Sequence, residues 1–178
     1  ESNASVGDDI ISLGAATYTF TAAGNFEDDA LTGDLDIRGN LTIRGVSAGS
    51  TIIDAALIDR VFHVFPGATL TLQNLTIKNG FAFDGGGIFN EGSLILYNVN
   101  VRCNTAGNQG GGIYNVGSMG VVGSDISENL AGSRGGGVHN LGVSSYLNTT
   151  ISSNVAVSRG GGIFNEGATA TASMINTT

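Results

Sequence analysis

The chain has 178 residues, a formal net charge of −8 and only 12% charged residues, with 29 glycines, one proline, one cysteine and no tryptophan. The acidic balance and the scatter of the seven lysines and arginines exclude a nucleic-acid footprint and a polybasic membrane-binding segment. Glycine without proline or a three-residue period excludes collagen, the Gly, Ser, Thr and Asn content disfavours helix, and no apolar run is long enough for a transmembrane helix.

In chain order, the first alternating runs are Asp8–Leu13 and Ala16–Phe20, both predicted strands. The segment "DDALTGDLD" at Asp28–Asp36 gathers Asp28, Asp29, Asp34 and Asp36 near one turn. It lacks the EF-hand spacing and the glycine–aspartate nonapeptide of calcium-binding β-rolls, so a solvated acidic loop is expected, with calcium as the alternative. Leu35–Gly45 and Ser50–Val64 follow as short alternating runs with loose spacing. Within the second, Asp54, Asp59, Arg60 and His63 form the densest set of chemically useful side chains. A lyase on such a scaffold needs a carboxylate-bound calcium and a basic residue, and a hydrolase needs paired carboxylates with room for water. Acids do not recur at matching positions further along: Glu91 and Glu166 share a column that Val116 and Leu141 interrupt. No catalytic residue is therefore assigned, and Asp54, Asp59 and Arg60 are expected in turns and surface ion pairs.

Ala68–Gly80 opens a regular template, with Leu70, Leu72, Leu75 and Ile77 matching Leu94, Leu96, Val99 and Val101. Four units then begin at Gly85, Gly110, Gly135 and Gly160, spaced by 25 residues and reading GGGIFN, GGGIYN, GGGVHN and GGGIFN. A fixed period in this range marks a solenoid. Each unit is predicted to hold three short strands and three turns, the turns falling at Glu91–Gly92, at Asn98 and in a loop from Asn104 to Gln109. The glycine columns (Gly85, Gly86, Gly87; Gly110, Gly111, Gly112; Gly135, Gly136, Gly137; Gly160, Gly161, Gly162) mark a corner that needs positive φ or close backbone approach. Ile88, Ile113, Val138 and Ile163 point inward, as do Asn90, Asn115, Asn140 and Asn165 two positions later, whose stacked amides satisfy one another. Between them Phe89, Tyr114, His139 and Phe164 point outward and are expected to stack at about 4.8 Å. That column either stabilises the sheet as an aromatic ladder or offers a contact surface for a sugar ring or another protein.

The predicted fold is thus all-β: one right-handed parallel β-helix over residues 1–178, irregular over 1–84 and regular over 85–178. About seven coils would make it roughly 30–35 Å long. The GGG[IV]-x-N units, "GDDIISLGAATYTF" and "STIIDAALIDRVFHV" resemble secreted bacterial β-helix proteins of the CSLREA-domain type. The CSLREA segment itself is absent from this sequence. The GGG-Ile units with Ile126–Asn129 and Ile151–Asn154 are similar to chlamydial polymorphic outer-membrane proteins, which are surface adhesins. The resemblance implies an extracellular or cell-surface setting and carries over no catalytic residue. The expectation is a non-enzymatic structural or adhesive protein; the alternative binds or degrades polysaccharide.

Neither end of the sequence shows a capping element, so self-association through open coil ends is expected. Cys103 has no partner in the chain and is expected to be buried or to pair with another chain. Sequons stand at Asn3, Asn40, Asn74, Asn148 and Asn176. The threonines do not form the regular column of an ice-binding solenoid.

Overall fold

The structure, a computed structural model, describes residues 9–22 and 33–178. The described residues form no helix, and every strand pairing among them is parallel. Strands stack in three sheets around a parallel β-helix of about 6 turns with a period of about 25.

The longest sheet follows the path Asp9–Ser12, Asn40–Arg44, Thr69–Lys78, Ser93–Arg102, Ser118–Val122, Val143–Leu147 and Thr171–Ile175. A six-stranded sheet stacks Leu35–Ile37, Phe62–Val64, Ile88–Asn90, Ile113–Asn115, Val138–Asn140 and Ile163–Asn165. A four-stranded sheet stacks Phe81–Asp84, Thr105–Gln109, Leu130–Ala131 and Val155–Ala156. This last sheet occupies what the sequence predicts as a loop from Asn104 to Gln109. Ala82, Ala106 and Ala131 point into the interior there, and their small side chains give a strand little apolar signature.

The predicted break at Asn98 is a bend instead. Ser93–Arg102 runs through as one strand although Asn98 has φ 52°. Asn74, Gly123, Asn148 and Asn176 hold the same left-handed conformation in neighbouring coils. Asn tolerates it better than other L-residues, which also explains the sequons at Asn74, Asn148 and Asn176; Asn3 lies outside the described residues. In the last coil the register slips, and Val143 pairs with Thr171 rather than with Ala168.

The interior is a set of stacked columns. Leu70, Leu72, Leu75, Ile77, Leu94, Leu96, Val99, Val101, Ile113 and Ile126 are fully buried, each stabilising the fold by about 1.5–3 kcal/mol. The predicted inward asparagines form a ladder: Asn90 Nδ2 donates to Asn115 Oδ1 at 2.6 Å, Asn115 to Asn140 at 2.6 Å and Asn140 to Asn165 at 2.5 Å. A second ladder runs from Asn104 to Asn129 at 3.0 Å and on to Asn154 at 2.9 Å. Within the ladders the amides satisfy one another, while Asn90 Oδ1, at the start of the first, is buried without a hydrogen-bond partner, at a cost of about 1–3 kcal/mol. The glycine corner has two causes. Gly110 sits at φ 65°, and a Cβ on Gly112 would lie 2.7 Å from the Gly137 carbonyl oxygen.

Candidate contact surface and carboxylate–histidine cluster

Alternation in the six-stranded sheet sends Ile88 and Asn90 inward and Phe89 outward. The pairing register extends the outward column in both directions, to Asp36, His63, Phe89, Tyr114, His139 and Phe164. The rings do not lie flat on one another throughout. His63 and Phe89 stack at 4.9 Å, whereas Phe89–Tyr114, Tyr114–His139 and His139–Phe164 meet edge to face at 5.2, 5.2 and 5.4 Å. The edge-to-face arrangement follows from the ring quadrupole, which disfavours a face-to-face sandwich.

The column is less open than the sequence suggests. His139 is fully buried, and the three other predicted rings are half-buried. Arginines cover its flanks: the Arg60 guanidinium lies 5.4 Å from the Phe89 ring and that of Arg134 lies 5.4 Å from Phe164. Glu166 reaches His139 Nε2 at 3.0 Å and Arg134 Nη1 at 2.5 Å. Burial holds the His139 imidazole below its ordinary pKa, outweighing the pull of Glu166. The Arg134 hydrogen bond holds Glu166 below the usual carboxylate range.

The residues singled out at Asp54–His63 separate. Asp54 lies in the long sheet, bound to Lys78 at 3.1 Å, to Asn79 Nδ2 at 2.9 Å and to the Ala56 N–H at 2.9 Å. Burial would raise its pKa, but these hydrogen bonds and the Lys78 charge outweigh burial and lower it. It makes the ion pair that the sequence predicts, but from the end of the strand Ile52–Asp54 rather than from a turn. Asp59 accepts the Arg60 N–H at 2.7 Å.

Arg60 and His63 instead join Asp34 and Asp36. Arg60 Nε lies 2.7 Å from Asp34 Oδ2. His63 Nε2 lies 2.9 Å from Glu91 Oε2, and its Nδ1 faces Asp36 Oδ1 at 3.8 Å. Asp34, Asp36 and His63 are only 6%, 3% and 9% exposed. These aspartates are therefore not part of a solvated loop; the rest of the predicted acidic turn, Asp28 to residue 32, lies outside the described residues. Burial pushes the Asp34 carboxyl up to about 7, against the pull of Arg60 and with the help of Asp59 and Asp36. The sequence hides this cluster because Asp36 and His63 belong to coils of irregular length, and only the register places them in the aromatic column.

A second feature escaped the sequence. The strand Phe81–Asp84 turns Phe81 and Phe83 outward, 50% and 67% exposed. With Ile58, Asp59, Arg60 and Gly107 they line a cavity of about 250 Å³. The "FAFD" alternation carried the signal. Cys103 is half-exposed rather than buried, because it occupies a turn at φ 55° that aims its thiol at Glu128 Oε2, 3.3 Å away. Burial and the Glu128 carboxylate push the thiol pKa up, which lowers its reactivity.

No protein-family model, curated protein or solved structure matches the chain. No helix among the described residues is long and apolar enough to cross a membrane.

Proposed function

We propose that the chain is a non-enzymatic, extracellular structural or adhesive β-helix that associates through the edges of its coils. The observation that carries this reading is the uniformity of the stack. Ile113, Tyr114 and Asn115 pair in register with the unit before and the unit after, and the same register continues to Ile163, Phe164 and Asn165. A coil edge of this register is complementary to another of the same pattern, so a matching coil of a second copy fits it as the neighbouring coil does. The resemblance to surface β-helix proteins supports the extracellular setting. Electron microscopy of the native material with light scattering tests the reading. Filaments or end-to-end oligomers with an axial repeat near one solenoid length are expected; monodisperse single particles at high concentration refute the association.

One observation favours a second reading, glycan binding. Phe81 and Phe83 present exposed ring faces beside Asp59 and Arg60, the pairing of apolar face and polar groups that holds a sugar ring. On that reading Phe83→Ala abolishes retention on a glycan array, and Phe89→Ala, whose ring is half-buried, does not.

A further inference from the structure

The geometry points to a divalent transition-metal site of the zinc class formed by Asp34, Asp36 and His63, with Glu91 as the partner that orients the histidine. This goes beyond the structural reading and does not depend on it. One carboxylate oxygen from each aspartate and a ring nitrogen of His63 lie within 4.8 Å of one another, and all three residues are buried. Ligand atoms about 2.0–2.2 Å from a tetrahedral zinc ion stand about 3.3–3.6 Å apart, so closing the set draws the three side chains together by up to about 1.5 Å.

The histidine supplies the independent observation. Its Nε2 lies 2.9 Å from Glu91 Oε2, and a carboxylate can only accept there, so Nε2 carries the proton. Nδ1 is then the nitrogen left to coordinate. It faces Asp36 Oδ1 at 3.8 Å, beyond hydrogen-bond reach and near the spacing of two ligands on one ion. A carboxylate on the outer ring nitrogen is the usual support of a metal-bound histidine, fixing its tautomer and raising its basicity. The ring is held in place as well, stacked on Phe89 and tilted against Phe65 at 4.0 Å. Arg60 engages Asp34 through Oδ2 at 2.7 Å, which holds that carboxylate at the site.

An imidazole with two carboxylates selects a borderline ion such as zinc, cobalt or manganese over calcium, which takes six to eight oxygens. Asp36 and His63 lie on the neighbouring strands Leu35–Ile37 and Phe62–Val64, with Asp34 just before the first, so the ion would cross-link adjacent coils at the irregular end of the helix.

The test is a titration of tag-free, EDTA-treated protein with zinc chloride, followed by calorimetry. It is done in a Cys103→Ser background so that the thiol cannot contribute. Cobalt chloride supplies a second readout through its visible absorption. Saturation at one equivalent is expected, with a shift of the His63 Nδ1 resonance in ¹⁵N spectra at the same stoichiometry. Asp36→Asn and His63→Phe should weaken binding at least tenfold, and Glu91→Gln by about tenfold as a supporting residue. His63→Phe is chosen because the same column accepts Phe89 and Phe164 one and four coils on. Absence of saturable binding of zinc, cobalt and manganese by the parent protein overturns the assignment without recourse to any variant. So does binding that leaves the His63 resonance unmoved or persists unchanged in His63→Phe.

Discussion

Gly112 and Gly162 occupy the same column of the repeat, yet alanine should have opposite effects at the two positions. At Gly112 the new Cβ would stand 2.7 Å from the Gly137 carbonyl oxygen. That oxygen accepts the N–H groups of Gly112 at 3.1 Å and Ile113 at 2.9 Å, so the coils cannot part without stretching both bonds. Overpacking costs about 1–3 kcal/mol and two weakened hydrogen bonds about 1 kcal/mol each, a total of about 3–5 kcal/mol. At Gly162 the Cβ would meet only Ile151 Cγ2, at 3.4 Å. The backbone there is not left-handed, so alanine should be neutral or stabilise by about 0.4–1 kcal/mol through the unfolded chain. Urea unfolding followed by circular dichroism measures both, and sedimentation velocity adds a functional readout. A coil docked beyond Gly162 would bring its own carbonyl against the new methyl, as Gly137 does at Gly112. Gly162→Ala should therefore leave the single molecule intact and abolish end-to-end association. Equal destabilisation by the two substitutions refutes the packing argument, and undiminished association of Gly162→Ala refutes coil-edge docking.

The asparagine ladder gives a second contrast. Asn115→Ala removes the donor to Asn140 Oδ1 and the acceptor of Asn90 Nδ2, and should cost about 3–5 kcal/mol from one orphaned acceptor and the bonds lost. Asn165→Ala, at an exposed position where water replaces the amide, should cost no more than about 1 kcal/mol; equal urea midpoints would contradict the ladder's role. Stability should also respond to pH with opposite signs at Asp34 and His139. Asp34 is raised from 3.8 to about 7 by burial. The folded chain thus keeps a proton that the unfolded chain releases, and this contribution is complete below about pH 4 and lost as pH rises through about 7. His139 is lowered by burial, so its contribution is present above about pH 6.5 and lost as pH falls toward the lowered folded value. Asp34→Asn should abolish the loss on the neutral side and His139→Phe the loss on the acid side, read as urea midpoints from pH 4 to 8; profiles identical to the parent's would refute both.

How much of this was legible in the sequence divides along the inside and outside of the coil. Inside, every coil sees the coil before it, so the environment repeats and the residues repeat with it: Ile88, Ile113, Val138 and Ile163, or Asn90, Asn115, Asn140 and Asn165, declare their direction by recurrence alone. The signal weakens where small residues do the packing. Ala82, Ala106 and Ala131 build a sheet that looks like a loop, because strand propensity rests on branched and aromatic side chains. Outside, solvent imposes no such uniformity, and neighbours decide each residue's fate. His139 shares a column with Phe89 and Phe164, yet it is the one sealed completely, with Glu166 at its ring nitrogen. Asp36 and His63 become neighbours only through the register of two coils of unequal length. A carboxylate–histidine cluster assembled across irregular coils leaves no period to detect, and it lies where the repeat pattern is at its weakest. The regular coils supply a uniform stack; the buried ionisable cluster forms where the irregular coils meet it, with Asp34, Asp36, Arg60 and His63 on one side and Glu91 of the first regular unit on the other.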